Sequence, residues 1–389
     1  MTLGINDFRN HLPVQIDFGV GSLARVAQAV ASTGAHHPVV ISEPVVLDLG
    51  VVRELLADLR RVRAPARVVS VEPGEPTLGS VDQLGARLQE GRLDVIVAIG
   101  GGSVLDSAKG ARMLLENEGP ISRYVWPGAP EPIRPPAVPL VTVPTTSGSG
   151  SEVTGGIVMT DPVALMKVAA PSPSNRAQYC IVDPRLTLSL PAQQTLWGGL
   201  DALGQAIGSV IAKVHTPVGD GLGLEAIRMA VAALPVVLRD PEDLAARSAM
   251  SCAALLAGLA MNVSEAGTEH SLAHPLGSRF RIPHGLSVGL MLAESIGHDR
   301  HYVPERFERV ADAMGEPADG TRDGSRAVRA VRRLLAATRC PTLRECGVSE
   351  GDIESLVDCA QSGWVPVEPG PWGRDDISRA YLDALACQR

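Results

Sequence analysis

The chain has few aromatic side chains and no excess of positive charge. Phenylalanine, tryptophan and tyrosine make up 3% of its 389 residues, and the formal net charge is −8. Proteins that bind nucleic acid present a basic surface to the phosphates, and many of them stack bases on aromatic rings. The composition therefore argues against nucleic acid as a partner.

Paired cysteines, an N-terminal signal and a long apolar run are also lacking. The six cysteines include no C-x-x-C pair, and six in so long a chain do not form a disulfide framework. The first residues, MTLGINDFRNHLP, have no apolar core of signal-peptide length. The longest nearly unbroken apolar run, AALLAGLAMNV (253–263), is too short to span a bilayer and is typical of a buried helix. These absences predict a cytoplasmic protein in a reducing environment, with no membrane partner.

Strand-like and helix-like segments alternate through the first half of the chain. The predicted helices include 51–62 and 80–91, and the predicted strands are HPVVIS (37–42), ARVVSV (66–71), DVIVAIGGG (94–102) and PLVTVPTT (139–146). This alternation is typical of a parallel sheet with helices on both faces.

Strand-like runs nearly vanish after about residue 190. Long helical stretches rich in alanine and leucine follow at 193–213, 218–238, 241–262, 303–314 and 323–338. Pro184 and Pro191, in IVDPRLTLSLP, mark the change. We therefore predict an α/β domain over residues 1–190 and an all-helical domain over residues 191–389.

Three glycines, Gly100, Gly101 and Gly102, end the strand in DVIVAIGGGSVLDSAKG. They allow a ligand to approach the backbone, and the N-terminus of the helix behind them is a ready site for phosphate. Ser103 and Asp106 have the S-x-x-D spacing of a capping box at the helix start. The local pattern is equally consistent with a tight turn that binds nothing, because it is neither a Walker loop nor the usual dinucleotide fingerprint.

A loop rich in hydroxyl groups, PTTSGSGSEVTGG, follows the next predicted strand. It contains Thr145, Thr146, Ser149 and Thr154 among four glycines. Hydroxyl groups and free backbone amides can hold phosphate, ribose and an amide ring. The alternative is a flexible glycine/serine linker, but the loop continues directly from a strand and contains positions typical of ordered structure.

Three of the nine histidines stand in one segment, AGTEHSLAHPLGSRFRIPHGL. His270 and His274 share a helix face, and His284 stands where the next helix begins. Upstream, in TLWGGLDALGQAIGSVIAKV, Asp201 and Gln205 also share one helix face. A lone histidine is usually a packed core or surface residue, but this combination indicates a metal site or a proton relay.

Together these motifs resemble the iron-containing (group III) alcohol dehydrogenases. GGGSVLDSAK is similar to the family's GGGSxxDxAK loop, PTTSGSGSEVT to PTTxGTGSEVT, LDALGQAIGS to DAxxHAxE, HSLAHPLG and PHG to HxxxHxLG and PHG, and IVDPRLTLSLP to DPxLxxxxP. The resemblance covers nearly the whole chain. It implies a dehydroquinate synthase-like architecture, in which a Rossmann-like, dinucleotide-binding domain precedes a helical domain that binds metal and substrate.

The resemblance also implies roles for single residues. Asp201, Gln205, His270 and His284 fall on metal-ligand positions, and His274 on a nearby position implicated in proton relay. The expected cofactor-binding residues are Gly100, Gly101, Gly102, Ser103 and Asp106 around the pyrophosphate, and Thr145, Thr146, Ser149 and Thr154 beside the nicotinamide. Lys167 matches a lysine near cofactor and substrate, and with His274 it is the expected catalytic pair.

Two positions of the metal helix depart from the family pattern. The family has histidine where this chain has Gln205, and glutamate where it has Gly208. A neutral amide oxygen is a weaker ligand for Fe or Zn than imidazole. The departure keeps open a metal-free reductase on the same scaffold, similar to the maleylacetate reductases.

The expected function is that of an NAD(P)-dependent oxidoreductase, in which a metal polarises the carbonyl of a small aldehyde or ketone during its interconversion with the alcohol. Besides the metal-free reductase, the alternatives are a non-catalytic nucleotide-binding protein and a lyase similar to dehydroquinate synthase. A homodimer is expected.

Cofactor and substrate preference rest on single positions. Glu43 follows the first predicted strand. In the family that the chain resembles, a carboxylate at this position disfavours the 2′-phosphate, which predicts NAD over NADP unless Glu43 is only a surface residue.

Arg279 and Arg281 flank Phe280 near His284, and if this segment is extended they lie on one side and could bind an anionic substrate tail. The alternative is that both arginines face solvent or a second subunit.

Overall fold

The computed structural model describes Phe8 and residues 10–62 and 64–387. The chain divides into two compact units. One comprises Pro13–Thr146 and Gly150–Ser189, and is called here the sheet unit. The other, the helical unit, comprises Met1–Leu12, Ser147–Ser149 and Leu190–Arg389.

Parallel strands form the centre of the sheet unit. The strands are β1 (Gln15–Phe18), β2 (Pro38–Ser42), β3 (Arg67–Ser70), β4 (Val95–Gly100), β5 (Leu140–Pro144), β6 (Val158–Asp161), β7 (Met166–Ala169) and β8 (Tyr179–Val182). Six of them pair in parallel in the order β1-β8-β5-β4-β2-β3. Strands β6 and β7 pair separately as an antiparallel hairpin.

Helices cover both faces of this sheet. They are α1 (Val26–Ser32), α2 (Pro44–Leu47), α3 (Gly50–Arg61), α4 (Leu78–Gln89) and α5 (Gly102–Met113). Val97 and Ile99 of β4 belong to the core cluster that also contains residues of α1 and α3, whereas Ile96 and Ala98 belong to the cluster with residues of α4 and α5. Because alternate side chains of a strand point to opposite faces, the unbroken apolar run of β4 fills two cores.

The helical unit has one large core. Its helices are α6 (Ala192–Ile211), α7 (Pro217–Arg239), α8 (Leu244–Val263), α9 (Thr268–Phe280), α10 (His284–Asp299), α11 (Pro304–Ala313), α12 (Ser325–Ala337), α13 (Ile353–Ser362) and α14 (Arg374–Ala386). By length and composition, α7 and α8 are each long and apolar enough to cross a membrane. Within the protein, 39% of the apolar window of α7 and 61% of that of α8 are buried. Both helices contribute residues to the core, which accounts for their apolar character.

The predicted parallel sheet and the helical second half are both confirmed. The four predicted strands end within two residues of β2, β3, β4 and β5, and the predicted long helices within three residues of α6, α7, α8, α11 and α12. Strands β1 and β8 have no counterpart in the prediction. Each has only four residues, too few to establish a hydrophobic period.

Helices α6 and α10 pack closely through glycines. A Cβ atom on Gly285 would lie 2.0 Å from the carbonyl oxygen of Trp197 and 3.0 Å from Cβ of Asp201. A Cβ atom on Gly204 would lie 2.4 Å from the Val288 side chain. The glycines therefore allow the start of α10, which carries His284, to lie against the turn of α6 that carries Asp201.

We predict that Gly285→Ala destabilises the protein by about 1–3 kcal/mol, because the added methyl group meets backbone that cannot rotate away. Gly297→Ala on the same helix is the matched control, since a Cβ there meets nothing within 4 Å, and it should stabilise by about 0.5–1 kcal/mol. Urea unfolding of both variants measures the difference. If both variants unfold alike, the contact between α6 and α10 is not a tight constraint.

Candidate metal and cofactor sites

Three side chains from different helices meet in the helical unit. Oδ1 of Asp201, on α6, lies 3.6 Å from Nε2 of His270, on α9, and 3.7 Å from Nε2 of His284, at the start of α10. One candidate ligand atom from each residue lies within 4.8 Å of the others. Ligands about 2.1 Å from a tetrahedral metal ion are about 3.4 Å apart. The three side chains thus have nearly the spacing that a metal ion requires.

Two buried oxygen atoms on α6 support the same interpretation. Oδ1 of Asp201 and Oε1 of Gln205 both lack a hydrogen-bond partner. The other end of the Gln205 amide is fixed, because Nε2 donates to the carbonyl oxygen of Ser149 at 3.1 Å. A buried polar atom without a partner costs about 1–3 kcal/mol, and a cation would offset this cost. The residues present therefore fit a divalent metal ion.

Opposing effects act on the pKa values of the cluster. Burial alone would raise the pKa of Asp201, but the rings of His270 and His284, whose Nε2 atoms lie 3.6 and 3.7 Å from Oδ1, lower it. Burial alone would lower the pKa of His270, but the nearby carboxylate of Asp201 and the hydrogen bond with Glu269 raise it to about 9. Asp201 thus stays anionic at neutral pH, as a carboxylate ligand must.

His274 lies beside this cluster. It stands one turn after His270 on α9, and its ring is stacked on that of His284, with centroids 5.8 Å apart and an interplanar angle of 29°. The rings of His270 and His284 are 5.4 Å apart. The structure thus brings together all three histidines of the segment.

The glycine turn and the hydroxyl-rich loop adjoin in the sheet unit. The amide of Thr145 donates to the carbonyl of Gly100 at 3.0 Å. A Cβ atom on Gly101 would lie 3.2 Å from the methyl group of Thr146. Thr145 and Thr154 are buried, so the loop is packed structure and the flexible-linker alternative is wrong.

The predicted capping box at Ser103 and Asp106 is wrong. Helix α5 begins at Gly102, and no side chain caps its first turn. The carboxylate of Asp106 instead accepts hydrogen bonds from Oγ of Ser151 and from the amide of Val158. These partners are distant in sequence, so local spacing could not reveal that Asp106 fastens α5 to the loop.

Lys109, which is not among the predicted site residues, fastens the same loop. It is 1% exposed, and Nζ donates to the carbonyl oxygens of Ser151, Thr154 and Gly156. Nζ also lies 2.8 Å from Oδ1 of Asp106. The signal was present, because Lys109 is the lysine of GGGSVLDSAK and stands three residues after Asp106, on the same helix face.

Glu43 lies at the same edge of the sheet as the glycine turn. It directly follows β2, and β2 pairs with β4 so that Ser42 stands opposite Ile99. Glu43 is half-buried, and burial raises its pKa. It is therefore not the exposed surface residue of the alternative interpretation.

Lys167 bonds to residues outside the predicted cofactor set. It is on β7 of the hairpin, where Nζ forms an ion pair with Glu75 and donates to Oγ1 of Thr160 at 3.1 Å. Neither partner belongs to the predicted cofactor set. Its assignment near cofactor and substrate remains a prediction.

The segment that contains the two arginines is not extended, so the condition for placing both on one side is not met. Helix α9 continues through Phe280, and Arg281 ends it in a left-handed conformation with φ of 56°. Phe280 packs against the core, and Arg279 and Arg281 are exposed. The alternation that would place both guanidinium groups on one side does not exist.

Two family models cover most of the chain. Iron-containing alcohol dehydrogenase matches residues 13–184, and the C-terminal domain of the Fe-containing alcohol dehydrogenase family matches residues 195–385. The chain belongs to the iron-containing alcohol dehydrogenase family. The predicted family and the predicted activity, that of an alcohol dehydrogenase or aldehyde reductase, are thereby confirmed.

Individual relatives agree with this assignment. Long-chain-alcohol dehydrogenase 1 of Geobacillus thermodenitrificans (strain NG80-2) is 32% identical over 375 residues, which cover 95% of this chain and 94% of the relative. The crystal structure of a 1,3-propanediol oxidoreductase matches with a TM-score of 0.89 and 28% identity, over 97% of this chain and 100% of that one. Sulfoacetaldehyde reductase from Bifidobacterium kashiwanohense, in complex with NAD+, has a TM-score of 0.89 and 25% identity, over 98% and 100% of the two chains.

We predict that Lys109→Met destabilises the protein by about 3–5 kcal/mol, because it leaves the carboxylate of Asp106 buried without its partner charge. Lys213→Met, at an exposed position, is the matched control and should change stability by less than about 0.5 kcal/mol. Chemical denaturation measures both. A loss no larger for Lys109→Met than for the control would contradict the role given to this ion pair.

Proposed function

We propose that the chain interconverts a small aldehyde and its alcohol with NAD(H), at a divalent metal ion held by Asp201, His270 and His284, with Gln205 as fourth ligand. The observation that carries this proposal is the pair of buried oxygens on α6, Oδ1 of Asp201 and Oε1 of Gln205, which lack hydrogen-bond partners. The two histidine nitrogens near Asp201 complete a donor set of the kind that Fe and Zn bind.

A bound metal ion would supply Lewis acidity toward the carbonyl oxygen of the substrate. The side chains of the protein would supply the charge of the site, the directions of the ligand atoms and the path of the proton. Asp201 supplies the negative charge of the site, and the packing of α6, α9 and α10 fixes the directions of its donors. His274, whose ring is stacked on that of His284, would carry a proton to or from the alcohol oxygen through water.

The cofactor would bind to the sheet unit. The N-terminus of α5, which follows the glycine turn of residues 100–102 and has Ser103 in its first turn, would bind the pyrophosphate. Thr145, Thr146 and Thr154 would line the nicotinamide side. Asp106 and Lys109 hold this loop through their hydrogen bonds to residues 151–158.

A metal-free reductase is the second candidate, and Gln205 is the observation that favours it. In that case His270 and His274 would donate hydrogen bonds to the carbonyl oxygen. Metal analysis of protein purified without chelators separates the two candidates, since stoichiometric metal excludes the metal-free reductase.

We predict that Gln205→His binds Zn(II) or Fe(II) more tightly than the wild type, because imidazole is a stronger donor than a neutral amide. Asp201→Ala should lose about 10²-fold or more in kcat/KM, since polarisation of the carbonyl contributes several kcal/mol. Chelator competition and steady-state kinetics give the two results. Gln194→His, which adds an imidazole at an exposed position of α6, is the control. Near-normal turnover by Asp201→Ala would contradict the metal mechanism.

We predict a higher kcat/KM with NADH than with NADPH, because Glu43 at the end of β2 would repel the 2′-phosphate and accept from the ribose hydroxyls. Glu43→Gln should reduce this preference. Glu54→Gln, at an exposed position on α3, should leave it unchanged. A wild-type preference for NADPH would overturn the assignment.

The substrate is proposed only as a class, a small aldehyde or alcohol. The relatives are named for a long-chain alcohol, for 1,3-propanediol and for sulfoacetaldehyde, so the class includes both neutral and anionic members. The proposed setting is the cytoplasm, consistent with six free cysteines, and the proposed assembly is a homodimer.

A further inference from the structure

A second carboxylate lies directly behind the metal cluster. Glu269, in the first turn of α9, is 1% exposed, and its Oε1 lies 2.9 Å from Nδ1 of His270. The same oxygen accepts from the amide of Gly267 at 3.2 Å. Glu269 was not among the predicted site residues, because nothing in the sequence shows which way its side chain turns.

The contact between Glu269 and Nδ1 of His270 determines which ring nitrogen carries the hydrogen and which has a lone pair available for a metal ion. A carboxylate oxygen accepts hydrogen bonds and does not donate them, so Nδ1 carries the hydrogen in this contact. In the neutral ring Nε2 is then the unprotonated nitrogen, and Nε2 is the atom 3.6 Å from Asp201. A carboxylate behind a histidine ligand fixes its tautomer and orientation and raises its basicity.

Small residues on α6 make room for this arrangement. A Cβ atom on Gly208 would lie 2.2 Å from the amide nitrogen of Gly267, and one on Gly204 would lie 3.6 Å from Cγ of Glu269. Gly208 is also the position at which the family pattern has glutamate. The chain thus lacks the family's glutamate on α6 and has a different buried glutamate, Glu269 on α9, beside His270.

We propose that Glu269 is a positioning residue for His270, and that it offsets the weak amide ligand Gln205 by making His270 a stronger one. The proposal rests on the metal site of the proposed function. It assigns Glu269 no contact with substrate or cofactor.

The test compares Glu269→Gln and Glu269→Met with the wild type in metal binding. Cobalt(II) titration against a chelator gives the dissociation constant, and the cobalt absorption band reports on the ligand geometry. Gln can still accept from Nδ1 but lacks the charge, whereas Met matches the length without an acceptor. We expect affinity to fall about 10-fold in Glu269→Gln and about 100-fold in Glu269→Met.

Asp299→Asn is the matched control. Asp299 is a buried carboxylate that accepts from Oγ1 of Thr268 at 2.7 Å, one residue before Glu269, but the hydrogen bonds of its side chain are with Thr268 and Trp372. If Glu269 were only a structural carboxylate, Glu269→Gln would behave like Asp299→Asn. Both variants would lose thermal stability, and neither would change in cobalt affinity.

Cobalt binding by the wild type and by Glu269→Gln distinguishes the role of Glu269 from the existence of the metal site. If the wild type binds cobalt and Glu269→Gln binds it equally well, the role of Glu269 is wrong and the metal site stands. If the wild type binds no cobalt, the proposed metal function fails and this inference fails with it. Should Glu269→Met not fold, Glu269→Gln alone decides.

Discussion

The buried negative charge of Asp201 is the constraint on which the helical unit depends. An ionised carboxylate inside a protein is stable only when opposite charges or hydrogen-bond donors surround it. Here those groups come from helices α9 and α10, and glycines at the α6–α10 contact let the helices approach closely enough to supply them. The same geometry brings two imidazole nitrogens near Oδ1 of Asp201 but leaves this oxygen without a hydrogen-bond partner, and the proposed metal ion would occupy the space between these atoms.

The sheet unit follows the same physical principle. The ion pair between Lys109 and Asp106 is buried, and each partner also bonds to the loop that follows β5. A loop with many glycines loses much conformational entropy on ordering. The buried pair provides fixed attachment points that offset this loss, and it leaves the hydroxyl groups of the loop in defined positions.

Much of this arrangement was predictable from the sequence, because helical spacing constrains which residues share a face. Asp201 and Gln205, and likewise His270 and His274, are four residues apart, and the structure places each pair on one helix. What the sequence could not show depends on distant partners. Asp106 has the spacing of a cap but bonds to Ser151 and Val158. The segment around Arg279 would place two arginines on one side only if it were extended, but it is the end of a helix that Phe280 anchors against the core.

The role of Glu269 could not be predicted from the sequence either. A glutamate before a histidine carries no recognisable signal, and its meaning appears only when the ring of His270 is seen between two carboxylates. The replacement of the family's histidine by Gln205 is visible in the sequence. The contact between Glu269 and His270 is visible only in the structure. A substitution in a ligand set is therefore best interpreted together with the residues behind the remaining ligands.

Anomalous diffraction at the metal absorption edge, on crystals of protein purified without chelators, would show whether a metal ion occupies the cluster. We expect one peak about 2.0–2.2 Å from Oδ1 of Asp201, Nε2 of His270, Nε2 of His284 and Oε1 of Gln205. The absence of a peak from protein that still reduces aldehydes with NADH would contradict the metal mechanism.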